Sequence, residues 1–274
     1  MPFISHSICY LVSAIPPSVF SKPLLGYPFS YRSSTSILAH RTIQSATMFD
    51  NLGDSSGDDD NHKILILDGG TGEELFRQGV PDDRKIWSAT ALVHESYHDV
   101  LKGVHQSFLL AGADAITTNS YGVVPGVGFS EKDITRYGRL AGDIARQSVT
   151  ELQASTKGTQ RMLVLGSLGP LVESYRPDKI MEHSSGVTAY ERMVCALQPS
   201  VDVFLAETMS SVEESMQAIE AVSHMTTPKP CLVSYTLSSD GKLRSDERVT
   251  SAIPRILDYA AQKKVSSKLP GRTN

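Results

Sequence analysis

From Lys63 onward the chain alternates short apolar runs with longer segments of helical periodicity, and this alternation most restricts what it can fold into. An apolar run of about four to eight residues bounded by turn signals is too short for a helix and suits a strand buried on both faces. Ile64-Leu65-Ile66-Leu67 is such a run, closed by Asp68-Gly69-Gly70. Glu95 to Leu110 then places Val100, Val104, Phe108 and Leu109 at helical spacing, with Gly112 as a stop signal. Ala115 to Thr118 reads as a strand, Asp133 to about Ala154 as a helix, and Met162 to Leu165, ending at Gly166-Ser167, as another strand. The pattern continues with a helix near Val187 to Leu197, a strand Val201 to Leu205, a helix Val212 to Val222, a strand Cys231 to Leu237 and a helix Val249 to Lys264. Five strand-helix units predict an α/β protein with a parallel sheet and helices outside it, either doubly wound or a (β/α)8 barrel. Five units do not close an eight-stranded barrel, so periodicity alone favours the open sheet.

The first part of the chain is of another kind. Met1 to Phe49 contains no Asp or Glu, is rich in Ser, and draws its formal charge from Lys22, Arg32 and Arg41. Acid-free, Ser-rich, weakly basic leaders are the composition of organelle transit peptides. Residues 1–47 therefore read either as a leader addressed to a mitochondrion or plastid, or as residues ahead of a start at Met48, which would leave the protein in the cytoplasm. Residues 48–62, with Gly53, Gly57 and Asp58-Asp59-Asp60, read as an acidic linker, and 63–274 as the folded domain. Over the whole chain 26 basic side chains face 30 acidic ones, which leaves no surplus to neutralise phosphates and argues against nucleic acid as a partner. The apolar stretch from Ile8 is cut by Pro16 and Pro17, short of the ~18 residues of a membrane span. Small molecules are the expected partners. Cys9, Cys195 and Cys231 lie far apart and form no CxxC pair.

Parallel α/β sheets bind ligands beyond the carboxyl ends of their strands, so the residues just after each apolar run carry the chemistry. Those residues are Asp68 with its glycine turn, Thr118-Asn119-Ser120, Gly166-Ser167, Glu207, and Ser234 to Thr236. Two carboxylates at one mouth suit acid-base work, a metal, or a substrate ammonium group; otherwise they cap helices and form ion pairs. Gly69, Gly70 and Gly72 let backbone N–H groups turn toward the mouth, a seat for a carboxylate. An ammonium next to a carboxylate makes an amino acid the expected ligand. Asn119 and Ser167 are further lining candidates, with capping of the following loops as the alternative.

Two other motifs compete with this reading. Gly70-Thr71-Gly72 lacks the third glycine of GxGxxG, where Leu75 stands, and no P-loop lysine follows. His94-Glu95-Ser96-Tyr97-His98 matches HExxH, in which two histidines one helical turn apart bind zinc and the glutamate activates water, as in a zinc metalloprotease. Glu95 or Ser96, however, stands where the apolar helical pattern begins, which puts the motif at a helix entry rather than inside a helix.

Leu67-Asp68-Gly69-Gly70-Thr71-Gly72-Glu73-Glu74-Leu75, with Ile86-Trp87-Ser88-Ala89 downstream, resembles the homocysteine S-methyltransferase family. Four further blocks agree in order: Ala111 to Tyr121, Gly166 to Pro170 running on to Ser174-Tyr175-Arg176-Pro177-Asp178, Ala206 to Met209, and Leu243-Arg244-Ser245. The resemblance covers about Lys63 to Ala261 and implies a (β/α)8 TIM-type barrel, reversing the choice that counting units favours and making this chain a C-terminally truncated barrel of about five units. It implies as partners homocysteine and a methyl donor, a sulfonium or related compound, with methionine as product. It also implies that Asp68 and Glu207 hold the substrate amino group and the amides of Gly69 and Gly70 its carboxylate. As cofactor it implies zinc, held by cysteines of an Asn-Cys and a Gly-Gly-Cys-Cys element. Neither element occurs in this sequence. Cys195 and Cys231 read instead as small buried hydrophobes, no metal ligand is assigned, and the chain as it stands is expected to be a non-catalytic member of the family.

Overall fold

The alternation is realised as a sheet with helices along one side. The structure, a computed structural model, describes residues 10–13, 65–156, 161–227 and 229–265. In chain order the elements are β1 (Tyr10–Ser13), α1 (Thr71–Arg77), α2 (Thr90–Val93), α3 (His98–Leu110), β2 (Ala115–Thr117), α4 (Glu131–Thr156), β3 (Leu163–Leu168), α5 (His183–Leu197), β4 (Val203–Met209), α6 (Val212–Ser223), β5 (Cys231–Tyr235) and α7 (Val249–Gln262). The sheet runs β1-β5-β4-β3-β2. The last four strands in sequence are mutually parallel, and β1 lies antiparallel on the outer edge of β5, with Tyr10 opposite Tyr235 and Ser13 opposite Leu232. The proposed leader and acidic linker otherwise fall outside the described residues, as do Ile64 and the tail from 266.

The two-residue period of a strand sorts the side chains into two layers. Val164, Leu168, Phe204, Ala206, Cys231, Val233 and Tyr235 pack with the helices in the main core. Ala115, Leu163, Leu165, Val203, Leu205 and Leu232 point the other way and form a second cluster of strand residues alone. Parallel neighbours in unbroken sequence order, with every helix on one face, are a singly wound arc; a doubly wound sheet reverses its order at a switch point and carries helices on both faces. The α/β class inferred from periodicity is the observed one, and of its two forms the open doubly wound sheet is not.

The first apolar run is less regular than expected. Leu67 makes a single parallel bridge to Ala115. Below it Asp114 N donates to Ile66 O at 2.8 Å and the Asp114 side chain accepts from Ile66 N at 2.9 Å; above it Asp68 N donates to Ala115 O at 3.0 Å. The next ladder donor, Thr117 N, goes to the Asp68 carboxylate at 2.8 Å instead of to a carbonyl. Side chains thus finish the pairing at both ends, and hydrophobicity patterns do not register that substitution.

Helix limits follow local capping. α6 starts at Ser211, whose hydroxyl accepts from Glu214 N, and Glu213 and Glu214 in its first turn suit the positive end of the helix dipole. α5 begins four residues earlier than its apolar pattern, because Glu182 caps it by accepting from Ser185 N. α1 and α2, too short for a periodic signature, were not legible in the sequence. Among the described residues no helix is long and apolar enough to cross a membrane.

Candidate functional site

The row of side chains facing away from the helices turns polar at the carboxyl ends of the strands. On the face that carries Ala115, Leu163, Leu165, Val203, Leu205 and Leu232, the next residues in phase are Thr117, Ser167, Glu207 and Ser234. Asp68 joins them from the neighbouring bridge. It is 9% exposed, and its carboxylate accepts from Thr117 N at 2.8 Å and from Thr117 Oγ1 at 3.0 and 3.2 Å. Ser167, between them on β3, donates its hydroxyl to Glu207 Oε1. Ser167 is itself fixed on both sides, its N–H donating to Thr118 Oγ1 at 3.0 Å and its carbonyl accepting from Ser120 Oγ at 2.8 Å.

The electrostatics of this pair are unusual for carboxyl groups. Burial pushes the Asp68 carboxyl up to about 7 against the opposing pull of its Thr117 hydrogen bonds, and the charge of Glu207 adds to the rise. Burial likewise raises Glu207, with the Ser167 hydroxyl working against it. No cationic side chain contributes to either group among the described residues. Ionised carboxylates removed from water without a counter-ion are costly, and the pair meets that cost by holding protons or by meeting a positive charge.

Gly69 and Gly70 sit beside the pair and are exposed. A Cβ on Gly69 would lie 2.9 Å from the Phe108 ring, so only glycine allows the turn to lie this close to α3. Among the described residues the N–H groups of Gly69 and Gly70 have no hydrogen-bond acceptor. The next residue, Thr71, holds a buried Oγ1 without a partner. Donors that lack acceptors at such a turn suit an anionic group.

Beyond the carboxylates, Trp87, Tyr121, Glu173, Ser174 and Tyr175 line an open cavity of about 390 Å³. Trp87 and Tyr121 are 6.2 Å apart between ring centroids, and the Arg244 guanidinium lies 5.5 Å from the Tyr175 centroid. The Tyr121 hydroxyl bonds Ser174 Oγ at 2.7 Å, and burial pushes its phenol up to about 12. Asn119 donates its amide to Ser88 O at 2.8 Å and so ties down the turn that carries Trp87. A Cβ on Gly169 would come within 2.7 Å of the Tyr121 carbonyl, so glycine there lets Tyr121 reach the cavity. Thr71, Thr117, Trp87, Tyr121 and Thr208 escaped the choice of candidates. For Thr117 the signal was available, since it is in phase with the residues of the second cluster, whereas Thr118 is not.

The HExxH reading fails on geometry. His94 closes α2 in an extended conformation, Glu95–Tyr97 form a 3-10 turn, and His98 opens α3 with its Nε2 3.1 Å from Leu92 O. The two imidazoles do not stand one turn apart on a helix, the arrangement that zinc binding by this motif needs. The cysteines also differ from expectation in one respect. Cys231 is buried on the helix side at the start of β5, where burial pushes its thiol up to about 12, but Cys195 is exposed on α5. Among the described residues no three His, Cys, Asp or Glu side chains come together to hold a metal ion.

A singly wound α/β arc with Asp68 and Glu207 together at the carboxyl ends of its strands defines the class. The model of the family described as Homocysteine S-methyltransferase matches residues 65–265, and the chain belongs to that family. It is 26% identical over 170 residues to homocysteine S-methyltransferase YbgG of Bacillus subtilis, covering 57% of this chain and 53% of the relative. It is also 26% identical over 197 residues to homocysteine S-methyltransferase 1 of Brassica oleracea var. italica, covering 65% and 59%. The chain thus spans little more than half the length of these curated relatives. Its fold resembles that of the metallated form of the homocysteine methyltransferase MmuM from Escherichia coli, with a TM-score of 0.62, 24% identity, and coverage of 72% of this chain and 71% of that one.

Proposed function

We propose that this chain binds homocysteine through its amino-acid end. Asp68 and Glu207 take the ammonium group, and the N–H groups of Gly69 and Gly70, with the Thr71 hydroxyl, take the carboxylate. The observation that carries the reading is the buried Asp68 carboxyl beside the half-buried Glu207, the two fixed by Thr117 and Ser167 and lacking any cation among the described residues. An ammonium supplies the missing charge, and charge-assisted hydrogen bonds to it are about twice as strong as neutral ones. The aromatic cavity beside them is the place for the methyl donor, since a sulfonium or ammonium is attracted to the faces of Trp and Tyr rings. Asn119 serves this site through the Trp87 turn.

Zinc activates the sulfur in the family, but the residues described here do not form a donor set for it. Cys195 and Cys231 lie on different elements, one at the outer helix layer and one at the amino end of a strand, and neither fits a strand-end metal site. A free thiol with its pKa near ~8.5 is only about one-tenth ionised at pH 7.5, so what these residues supply to a methyl transfer is positioning of the amino acid. The chain is read as a homocysteine-binding member whose own transfer of methyl groups is slow or absent. Calorimetric titration with L-homocysteine, alongside assay of methionine formed from homocysteine and S-methylmethionine or S-adenosylmethionine, tests this. Binding that Asp68→Ala abolishes supports it; no binding, or binding indifferent to that substitution, overturns it.

A further inference from the structure

The loop that walls the aromatic cavity is tied down at its far end by charge. It leaves β3 at Leu168, carries Glu173, Ser174 and Tyr175 past the cavity, and ends where His183 opens α5. Near its start Gly126 N donates to Leu171 O at 2.9 Å, and in its middle Ser174 Oγ bonds the Tyr121 hydroxyl. Its end rests on α6, where Gln217 donates its amide to Met181 O at 2.9 Å. His183 completes the attachment. Its Nδ1 lies 2.6 Å from Glu213 Oε1 and its Nε2 3.1 Å from Glu220 Oε2, two carboxylates that stand two turns apart on α6.

Both ring nitrogens thus face oxygens of ionisable carboxyls, which when charged can only accept. A neutral imidazole has a single N–H and would turn its lone pair toward one of the two carboxylates, whereas an imidazolium donates to both. The geometry is that of the charged ring. Other charged groups surround it on every helix of the contact. Glu182 precedes it and caps α5 through Ser185 N. From α7 the Tyr259 hydroxyl donates to Glu220 and lies 3.5 Å from His183 Nε2, and Lys263 Nζ is 2.7 Å from Glu220 Oε1. At the end of α6, His224 stands between Glu191 of α5, at 2.6 Å, and Glu220, at 3.8 Å. Glu220 therefore keeps other donors if His183 turns neutral, but Glu213 has no further hydrogen bond or ion pair among the described residues. The His183 side chain is 37% exposed, so water can deliver and remove its proton without the fold opening.

We propose that His183 is a proton-dependent anchor of the cavity wall: as an imidazolium it clamps the end of the 169–182 loop to Glu213 and Glu220, and on losing its proton it lets that loop loosen around the cavity. As regulation of the site this rests on the reading of the cavity as the methyl donor's seat; the anchor itself does not. The hydrogen bond to Glu213 raises the imidazole above its ordinary range, burial works against this, and Glu220 adds to the rise. A folded-state pKa above the unfolded one makes the attachment fully present below pH 6.5 and lost as pH rises through the folded value.

The full chain and three variants test the anchor. In 15N NMR of the parent at pH 6 both ring nitrogens of His183 carry protons, its midpoint lies above 6.5, and Glu213→Gln lowers that midpoint. Hydrogen exchange of residues 170–182, corrected for the intrinsic dependence on pH, rises about three- to tenfold between pH 6 and pH 9. His183→Arg, cationic throughout this range, abolishes the rise, and His183→Gln shows the faster exchange at both pH values. The Kd for S-methylmethionine is alike in parent and His183→Arg at pH 6 and about threefold weaker in the parent at pH 9. A neutral His183 at pH 6, a midpoint that Glu213→Gln leaves in place, or loop opening that persists in His183→Arg overturns the assignment. If neither protein binds the donor, the reading of the cavity falls, and the His183 titration and loop exchange still decide the anchor.

Discussion

Replacing Asp68 by Asn should stabilise the protein while disabling its pocket, by an amount that depends on pH in a defined way. The Asp68 carboxyl is raised from 3.8 to about 7 in the folded protein. Each tenfold displacement of a protonation equilibrium is worth about 1.4 kcal/mol, so the folded state carries a penalty of about 4 kcal/mol when this group is ionised. The sign follows from the direction of the shift. A folded-state pKa above the unfolded one means that the contribution to stability is fully present below pH 3.8 and is lost as pH rises toward about 7. Asn carries no charge at any of these pH values, and its amide oxygen still accepts from Thr117 N. Its second donor-acceptor set is poorer than a carboxylate for Thr117 Oγ1, which takes back about 1 kcal/mol. The net expectation is a gain of about 3 kcal/mol at pH 8, shrinking to zero or slightly negative at pH 4. Urea denaturation at pH 8, 6 and 4 reads this as a midpoint shift with unchanged slope. The reasoning is refuted if Asp68→Asn is destabilising at pH 8, or if its effect is the same at all three pH values. Loss of homocysteine binding in the same variant ties the stored energy to the pocket, the usual exchange of stability for function.

Three further outcomes are expected. Ser167→Ala removes the donor that opposes the rise of the Glu207 carboxyl, so homocysteine affinity should fall most at low pH and recover as pH is raised; a pH-independent loss measured by calorimetry would argue that Ser167 acts otherwise. His105 is fully buried in α3 with neither ring nitrogen bonded, and burial pushes it down to about 4. Its contribution is therefore present above pH 6.5 and lost as pH falls toward about 4, so His105→Leu should flatten that acid limb and add about 1–3 kcal/mol at pH 7 by removing unpaired polar atoms, with urea midpoints as the measure. Gly169→Ala places a Cβ 2.7 Å from the Tyr121 carbonyl and should cost about 1–3 kcal/mol; an unchanged urea midpoint would show that Tyr121 can yield.

Much of the sheet was legible because its strands are buried on both faces, and such strands announce themselves as uninterrupted apolar runs. Met162 to Leu165, Val201 to Leu205 and Cys231 to Leu237 each overlap an observed strand, with ends displaced by at most four residues. The run at Ile64 to Leu67 shows the limit of the method: its apolar residues are real, but its pairing is completed by the side chains of Asp68 and Asp114, which hydropathy counts only as breaks. The HExxH letters show the converse. A motif specifies spacing along the chain, while the chemistry needs spacing on a helix, and here the helix starts at its last residue.

By itself the sequence determined the α/β class, the family, and the residue types placed after each strand, because periodicity, turn chemistry and ordered motifs are local properties of the chain. Only the tertiary structure decided that the sheet is singly wound, that Thr117 and Ser167 are the groups holding Asp68 and Glu207, and that Thr208 takes a left-handed backbone. Those facts depend on which strand lies beside which, and on a register shift of one residue between β4 and β5. A long-range hydrogen bond and a bulge are settled by neighbours some forty residues away in sequence, such as the pair Ser167 and Glu207, and no local pattern encodes them.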